Sequence, residues 1–266
     1  MKSFWTRVAS ALFGLFLILG VYSIWDRKGL FAFSTFAVFR VSYEYGRIAF
    51  EKKGWAGLFS ALSTALFLSY FAGAAHYLTI FTLAAAALLS SMTWLAGKGL
   101  PLNRVLSLQA MTALGLFYCV LLPIHVVSII YVGPNAFWFP VFLCIVFACD
   151  TFAYFIGLQF GKRRLLEPVS PKKSVEGAIG GIAGSLLVAL FVAHQWEIPL
   201  VPLMVTAFGT SVLSQMGDLF ESLLKRVANV KDSGRFMPGH GGVMDRLDGV
   251  YLSAPLFYLF LLTFLD

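Results

Sequence analysis

The sequence predicts an all-α, polytopic membrane protein with about nine transmembrane helices. Two observations support this: 59% of the 266 residues are hydrophobic and 12% are charged, and the apolar residues gather into long runs. Soluble domains carry roughly 45–50% apolar and about 25% charged residues, so a soluble fold of this length could not bury so much apolar surface. We therefore expect a single membrane domain over residues 1–266.

Nine apolar runs approach the length of about 20 residues that a helix needs to cross the hydrocarbon core. In chain order they are 8–25, 30–49, 56–72, 76–95, 108–131, 137–159, 177–194, 199–218 and 249–265. Lys2 and Arg7 precede the first run as in a signal peptide, but no small-x-small cleavage site follows it, so we expect a retained span. Pro123 lies inside the fifth run and predicts a kink or break there.

The basic residues fall almost entirely on one side of this topology. When the loops alternate sides, 17 of the 20 Lys and Arg residues lie in or beside the segments of one side, whereas only Arg27 and Lys28 lie on the other. Loops rich in Lys and Arg stay in the cytoplasm, so the N-terminus is predicted to be cytoplasmic. The net charge of +7 is then a topology signal and does not indicate nucleic-acid binding. Arg40 lies within a run, four residues before Glu44, and we interpret the two as an intrahelical ion pair.

Polar residues concentrate in the segment 217–248, which holds five acidic and five basic residues. If its first part is helical, Asp218, Ser222 and Lys225 share one face. That stripe could hold a metal and a phosphate together. Lys225 has the alternative of a surface ion pair with Glu221.

Two further carboxylates, Asp245 and Asp248, stand three residues apart just before the last run. In a helical turn both would face the same way. The Pro-Gly-His-Gly-Gly loop at 238–242 precedes them, and its backbone can approach a phosphate closely. His240 has two open roles, proton transfer or shaping this loop.

Magnesium usually takes one or two protein carboxylates together with substrate phosphates and water. Asp218 and Asp245, from separate helices, meet that need, and a second metal ion would also require Asp248 or Asp150. Asp150 lies within an apolar run with no basic residue within a helical turn. Its partner must therefore come from elsewhere, and we predict a functional role for it.

The loop 160–176 contains Ser-Pro-Lys-Lys-Ser ahead of a helix. Lys172-Lys173 at a helix mouth suits a phosphate. Ser174 is predicted to cap the helix, with Glu176 in its first turn. The alternative is a cytoplasmic anchor with an N-cap and no ligand. The glycines that follow predict close helix packing.

The spacing of these residues resembles the C-terminal signature of the phosphatidate cytidylyltransferase family, also called CDP-diacylglycerol synthases. The signature runs Ser, Lys-Arg, Lys-Asp, His-or-Asn-Gly-Gly and Asp-Arg-x-Asp. The sequence supplies Ser222, Lys225-Arg226, Lys231-Asp232, His240-Gly241-Gly242 and Asp245-Arg246-Leu247-Asp248. Upstream resemblances are Asp150-Thr151-x-Ala153-Tyr154, Gly161-Lys162 and Ser170-Pro171-Lys172-Lys173. The motifs cover about residues 150–250, and the one mild departure is Ser174, where threonine is more frequent.

The resemblance implies transfer of CMP from CTP to phosphatidate, giving CDP-diacylglycerol and pyrophosphate with Mg²⁺. As catalytic or metal-binding groups it implies Asp218, Asp245 and Asp248, together with Lys225 and Asp150. As substrate-binding residues it implies Lys172, Lys173, Ser222, Arg226, Lys231, Asp232, His240, Gly241, Gly242 and Arg246. Asp218, Asp245 and Asp248 are the expected metal ligands.

The resemblance also implies an organisation of the chain. The N-terminal spans would occupy 1–131, and the catalytic spans and cytoplasmic loops would occupy 137–266. The protein is then expected in a prokaryotic-type plasma membrane, with the active site facing the cytoplasm, where CTP is found. A homodimer is left open.

Two alternatives stay open, one within lipid enzymes and one in a different class of protein. One is a CTP-dependent lipid or polyprenol kinase, or a CDP-alcohol phosphotransferase, although the Asp-Gly-x-x-Ala-Arg motif of the latter is absent from the sequence. The other is a transporter for an anionic solute. A transporter would place its charges at the midplane of several spans, whereas here the charges are predicted at the cytoplasmic ends of late spans.

Overall fold

The computed structural model of the protein describes residues 2–50, 53–73, 77–234, 236 and 241–264. The described chain is mostly α-helical, which confirms the predicted class. The α-helices are α1 (Lys2–Ala49), α2 (Lys53–Phe71), α3 (Tyr77–Gly97), α4 (Leu102–Leu116), α5 (Leu122–Tyr131), α6 (Trp138–Phe160), α7 (Val175–Trp196), α8 (Leu200–Val227) and α9 (Met244–Phe264). Two short strands, β1 (Arg164–Leu166) and β2 (Ser170–Ser174), pair as an antiparallel hairpin that the sequence reading treated as loop.

Six helical stretches of the described chain are long and apolar enough to cross a membrane. They are Gly54–Phe71, Leu102–Tyr131, Pro134–Phe160, Val175–Trp196, Leu200–Val227 and Met244–Phe264. The predicted runs all overlap helices. The first two overlap α1, the fifth overlaps α4 and α5, and each of the others overlaps one helix. The count of nine crossings stays a prediction.

The long helix α1 bends at Asp26, whose backbone angles (φ 52°, ψ −144°) are not helical. A Cβ placed on Gly29 would press against Val21, eight residues earlier, so the chain folds back sharply at this point. The Arg27 guanidinium donates to the carbonyl of Gly133, beyond α5, and anchors the bend. The bend lies where the sequence predicts the break between the first two runs.

The stretch from α4 to α5 passes through a π-helical turn, Phe117–Leu121. Pro123 lies in the first turn of α5, where its missing N–H removes a helical hydrogen bond. The interruption predicted near this proline is therefore a local change from α-helix to π-helix, and the helical stretch continues into α5. The π-turn also carries the buried Tyr118, whose ring centroid lies 5.5 Å from that of Phe220 in α8.

The hairpin leads directly into α7 through the predicted cap. The Ser174 Oγ accepts a hydrogen bond from the Gly177 backbone N–H at 3.1 Å. The Glu176 carboxylate, in the first turn, accepts from the Lys162 backbone N–H at 3.0 Å and so ties the start of the hairpin to the helix. The N-cap prediction is confirmed. Lys173 is the residue just before the cap, so this junction fixes its position at the start of α7.

Glycines allow α7 to lie almost in backbone contact with α6, its most extensive partner. A Cβ on Gly177 would meet the carbonyl oxygen of Ala153, and a Cβ on Gly181 would meet that of Cys149. The predicted close packing is therefore found. It holds the α6 segment that carries Asp150 firmly in the bundle.

A similar close contact joins α8 to α9. A Cβ on Gly217 would overlap the backbone carbonyl of Asp248, and a Cβ on Gly249 would press on the Ser214 Oγ. Because Gly217 and Gly249 have no side chains to hold the two helices apart, the neighbouring residues Asp218 and Asp248 lie close to each other.

Candidate active site

Three carboxylates converge where α8 crosses α9. One oxygen from each of Asp218, Glu221 and Asp248 lies within 4.8 Å of the others. Asp218 and Glu221 are three residues apart on α8 and share a helix face. Asp248 faces them from the first turns of α9.

Glu221 is the member of this group that the sequence reading missed. The predicted alternative of an ion pair is present, because Lys225 Nζ lies 2.5 Å from Glu221 Oε2. The pair is not a surface pair, however, since the Glu221 side chain is only 1% exposed. Its spacing of three residues from Asp218 was the available sequence signal.

The three carboxylates fit a hard divalent cation. Their oxygens are the ligand type that Mg²⁺ prefers. Glu221 Oε1 is buried and has no hydrogen-bond partner among the described residues. A buried carboxylate oxygen without a partner is costly, and a coordinated cation would satisfy it. The set differs from the expected one, which had Asp245 in place of Glu221.

Asp245 lies beside this group and is engaged differently. Its Oδ1 accepts from Lys225 Nζ at 2.8 Å, and its Oδ2 accepts from the Gly242 backbone N–H at 2.7 Å and from Ser233 Oγ at 3.0 Å. Asp245 lies in the first turn of α9, and N–H and O–H donors of the preceding loop contact its carboxylate. Asp245 is not one of the three carboxylates that converge, which are those of Asp218, Glu221 and Asp248. Whether Asp245 also binds metal stays a prediction.

Asp150 approaches the site from α6. The charges of Asp218, Lys173 and Arg246 all lie close enough to act on its carboxylate. Lys173 Nζ forms an ion pair with Asp218 Oδ2 at 2.6 Å. The basic residues whose charges act on Asp150 thus come from the hairpin and from α9. The structure brings Asp150 and Lys173 to the site, while their roles stay predictions.

The other predicted substrate-binding residues have varied positions. Ser222 Oγ lies 3.5 Å from Asp218 Oδ1, on the same face of α8. The Arg226 Nε donates to the Val169 carbonyl at 3.3 Å, which ties α8 to the hairpin. The exposed members are Lys172, Arg226, Lys231, Asp232 and Arg246. His240 lies outside the described residues.

Gly241 and Gly242 pack against carboxylates. Gly241 has a φ of +82°, and a Cβ there would meet the Asp245 carboxylate. A Cβ on Gly242 would meet the hydroxyl of Ser233 and the carboxylate of Glu44. The two glycines let the loop close around acidic groups. The predicted approach of their backbone to a phosphate stays a prediction.

Comparison with known proteins places this geometry in context. A family model described as "Cytidylyltransferase family" matches residues 5–264. The phosphatidate cytidylyltransferase of Brucella abortus biovar 1 (strain 9-941) is 35% identical over 279 aligned residues, which cover 98% of this chain and 94% of the relative.

Other relatives match over shorter stretches. The phosphatidate cytidylyltransferase of Bacillus subtilis (strain 168) is 43% identical over 122 residues, 45% of each chain. That of Thermotoga maritima is 42% identical over 118 residues, 41% of this chain and 43% of the relative. Similarity therefore extends along nearly the whole chain in the Brucella relative, and the identity is higher over the shorter aligned stretches of the other two.

Proposed function

The chain belongs to the cytidylyltransferase family, and from that premise we propose that it is a phosphatidate cytidylyltransferase. It transfers CMP from CTP to phosphatidate, giving CDP-diacylglycerol and pyrophosphate. The observation that carries the proposal is the cluster of three carboxylates from Asp218, Glu221 and Asp248. Lys173 contacts the first of them and Lys225 the second. Acidic groups for a cation beside basic groups for phosphates are what a reaction between two phosphorylated substrates requires.

The reaction is an in-line displacement at phosphorus. An oxygen of the phosphatidate phosphate attacks the α-phosphorus of CTP. The bond from that phosphorus to the oxygen bridging the α- and β-phosphates breaks, and pyrophosphate leaves with the electron pair. The protein needs no covalent nucleophile, because its task is to align the two phosphates and to compensate their charge.

Asp218, Glu221 and Asp248 would hold the Mg²⁺ ion. When bound, the cation neutralises phosphate charge and orients the phosphate oxygens. Asp245 and Asp150 remain proposed as further ligands or supporting carboxylates. Asp245 also fixes Lys225, whose ammonium group it contacts at 2.8 Å.

The proposed phosphate contacts come from basic side chains around the carboxylates. Lys173 lies at the end of the hairpin and Lys225 lies between two carboxylates. The wider proposed set of substrate-binding residues is Lys172, Lys173, Ser222, Arg226, Lys231, Asp232, His240, Gly241, Gly242 and Arg246. Lys173 and Lys225 are already paired with carboxylates, so phosphate binding would require them to share or exchange those partners.

The protein is an integral membrane protein, and we place its site at the cytoplasmic face of a bacterial plasma membrane. With nine crossings and a cytoplasmic N-terminus, Lys173 and Lys225 are among the 17 of the 20 Lys and Arg residues on the cytoplasmic side. CTP would then arrive from the cytoplasm, and phosphatidate would arrive within the bilayer. A homodimer remains an untested expectation.

Product analysis tests the proposed reaction. Purified protein in mixed micelles would be incubated with Mg²⁺, phosphatidate and CTP labelled at the α-phosphorus. We expect the label in a CDP-lipid, with one pyrophosphate released for each lipid formed. A CTP-dependent kinase would instead transfer the unlabelled γ-phosphate to the lipid and leave the label in free CDP. That result would overturn the proposal.

A further inference from the structure

A carboxylate from the N-terminal helix α1 reaches the site region, far from the C-terminal motifs in sequence. The Glu44 side chain is only 2% exposed. Its Oε1 lies 3.2 Å from Arg40 Nη2, as the sequence reading predicted. Its Oε2 accepts from the Met244 backbone N–H at 2.9 Å and lies 3.4 Å from Ser233 Oγ. An intrahelical ion pair therefore describes only half of its contacts.

The hydrogen bond from the Met244 N–H links Glu44 to the start of α9. Met244 is the first residue of that helix, and the first backbone N–H groups of a helix lack partners within it. An acidic group beside those N–H groups is also favoured by the helix dipole. Glu44 thus caps α9 from another helix, 200 residues away in sequence.

The loop that precedes α9 is shaped around the Glu44 carboxylate. A Cβ on Gly234 would overlap Glu44 Oε1, and a Cβ on Gly242 would overlap Glu44 Oε2. Two glycines at these positions let the loop approach the carboxylate from both sides. The Arg40 guanidinium lies 4.6 Å from the centre of the Phe236 ring, which adds a contact between α1 and the same loop.

Ser233 connects Glu44 to the proposed active site. Its hydroxyl lies 3.4 Å from Glu44 Oε2 and 3.0 Å from Asp245 Oδ2. Asp245 in turn contacts Lys225, whose Nζ lies 2.5 Å from Glu221 Oε2. A continuous series of polar contacts therefore runs from α1 to the converging carboxylates.

We propose that Glu44 is a positioning residue for the cytidylyl-transfer site. By capping α9 and holding the loop before it, Glu44 sets where Asp245 and Asp248 stand relative to Asp218 and Glu221. The inference rests on the proposed function, because it assigns Glu44 to the metal-binding arrangement of that same site. The cost of burying this carboxylate is offset by its ion pair with Arg40 and by the hydrogen bond that it accepts from the Met244 N–H.

The test compares Glu44→Ala with wild-type protein in detergent, using Mn²⁺ as the probe. Binding is read from the loss of the free Mn²⁺ signal in electron paramagnetic resonance, which needs no lipid substrate. We expect Mn²⁺ to bind about 10-fold or more weakly, because loss of a residue that orients metal ligands typically costs 10–100-fold in affinity. Glu197→Ala is the matched control, since Glu197 is exposed at the far end of α7 and should leave binding unchanged.

A conservative variant separates positioning from bulk stability. Glu44→Gln keeps an oxygen that can accept from the Met244 N–H, so we expect it to recover part of the Mn²⁺ affinity and of kcat. If Glu44→Ala does not fold, Glu44→Gln and Ser233→Ala carry the test, and both should still weaken Mn²⁺ binding. Mn²⁺ affinity within about twofold of wild type in the folded variants would overturn the role of Glu44.

The outcomes also separate this inference from the proposed function. A wild-type protein that binds Mn²⁺ but forms no CDP-lipid would overturn the reaction while leaving the role of Glu44 to the binding data. A wild-type protein that binds no Mn²⁺ would contradict the metal site and, with it, both proposals.

Discussion

Lys225 is the single residue on which the charge balance of the site depends most. Its Nζ lies 2.5 Å from Glu221 Oε2 and 2.8 Å from Asp245 Oδ1. The two carboxylate side chains are 1% and 7% exposed, so water can compensate little of their charge. One ammonium group therefore keeps two nearly buried acids in place.

Replacing Lys225 by methionine should destabilise the protein. The Met side chain keeps much of the length but leaves Glu221 and Asp245 without their cation, and breaking a buried ion pair costs about 3 kcal/mol or more. Unfolding by sodium dodecyl sulfate in mixed micelles, followed by circular dichroism, measures the change. The exposed Lys162→Met is the control, and adding Glu221→Gln to Lys225→Met should restore part of the loss. Equal stability of Lys225→Met and wild type would refute the pairing.

Glu221→Gln should weaken metal binding with little effect on packing. The glutamine side chain has nearly the same shape as glutamate, but it is neutral. It offers a cation one carbonyl oxygen in place of an anionic carboxylate. We expect the Mg²⁺ concentration for half-maximal activity to rise at least about 10-fold. The exposed Glu167→Gln serves as control. An unchanged Mg²⁺ dependence would remove Glu221 from the ligand set.

At the scale of elements, the site depends on how closely α8 and α9 cross. Gly217 and Gly249 lie where the two backbones touch, one residue before Asp218 and one after Asp248. Small residues at helix interfaces are typical of membrane proteins, because close packing replaces the hydrophobic effect as the force between helices. Here the same packing also sets the distance between ligands on two helices.

Gly217→Ala tests that coupling of packing and site. The added Cβ would overlap the Asp248 carbonyl, which is backbone and cannot rotate away. We expect a loss of about 1–3 kcal/mol of stability, measured by detergent unfolding. We also expect a rise in the Mg²⁺ concentration needed for half-maximal activity. Gly209→Ala, on the same helix, would meet only the end of the flexible Leu256 side chain and should have a much smaller effect. Similar losses in both variants would argue against a special role of the crossing.

For the whole molecule, the bundle brings N-terminal and C-terminal parts to one polar region. Glu44 comes from α1, Asp150 from α6, Lys173 from the hairpin and the remaining carboxylates from α8 and α9. The N-terminal helix α1 thus contacts Ser233 in the loop before α9 and Met244 at the start of α9. The division into N-terminal spans and catalytic spans stays a prediction.

The proposed orientation predicts which loops face the cytoplasm. In a variant with Cys144, the exposed native cysteine, replaced by serine, a cysteine would be placed at Glu167 in the hairpin or at Glu197 after α7. A membrane-impermeant maleimide applied to intact cells should label the cysteine at 197 directly and the one at 167 only after permeabilisation. The reverse pattern would overturn the orientation, and labelling of both from one side would contradict the number of crossings between them.

Sequence alone determined the composition-driven features of this protein. The apolar runs predicted a helical membrane protein, because the bilayer accepts backbone only when its hydrogen bonds are satisfied within a helix or barrel. Local chemistry predicted the Ser174 cap, the glycine packing of α7 on α6, and the interruption at Pro123. The spaced motif between Ser222 and Asp248 led to the family.

Only the tertiary structure decided which acidic groups meet. Helical spacing could place Asp218 and Glu221 on one face, but the crossing at Gly217 determines that Asp248 joins them and that Asp245 turns toward Lys225 and the loop. Glu44 gave no stronger sequence signal than an ion pair with Arg40, because its partners lie about 190–200 residues away. Contacts between distant segments depend on how whole helices pack, and no local pattern encodes them.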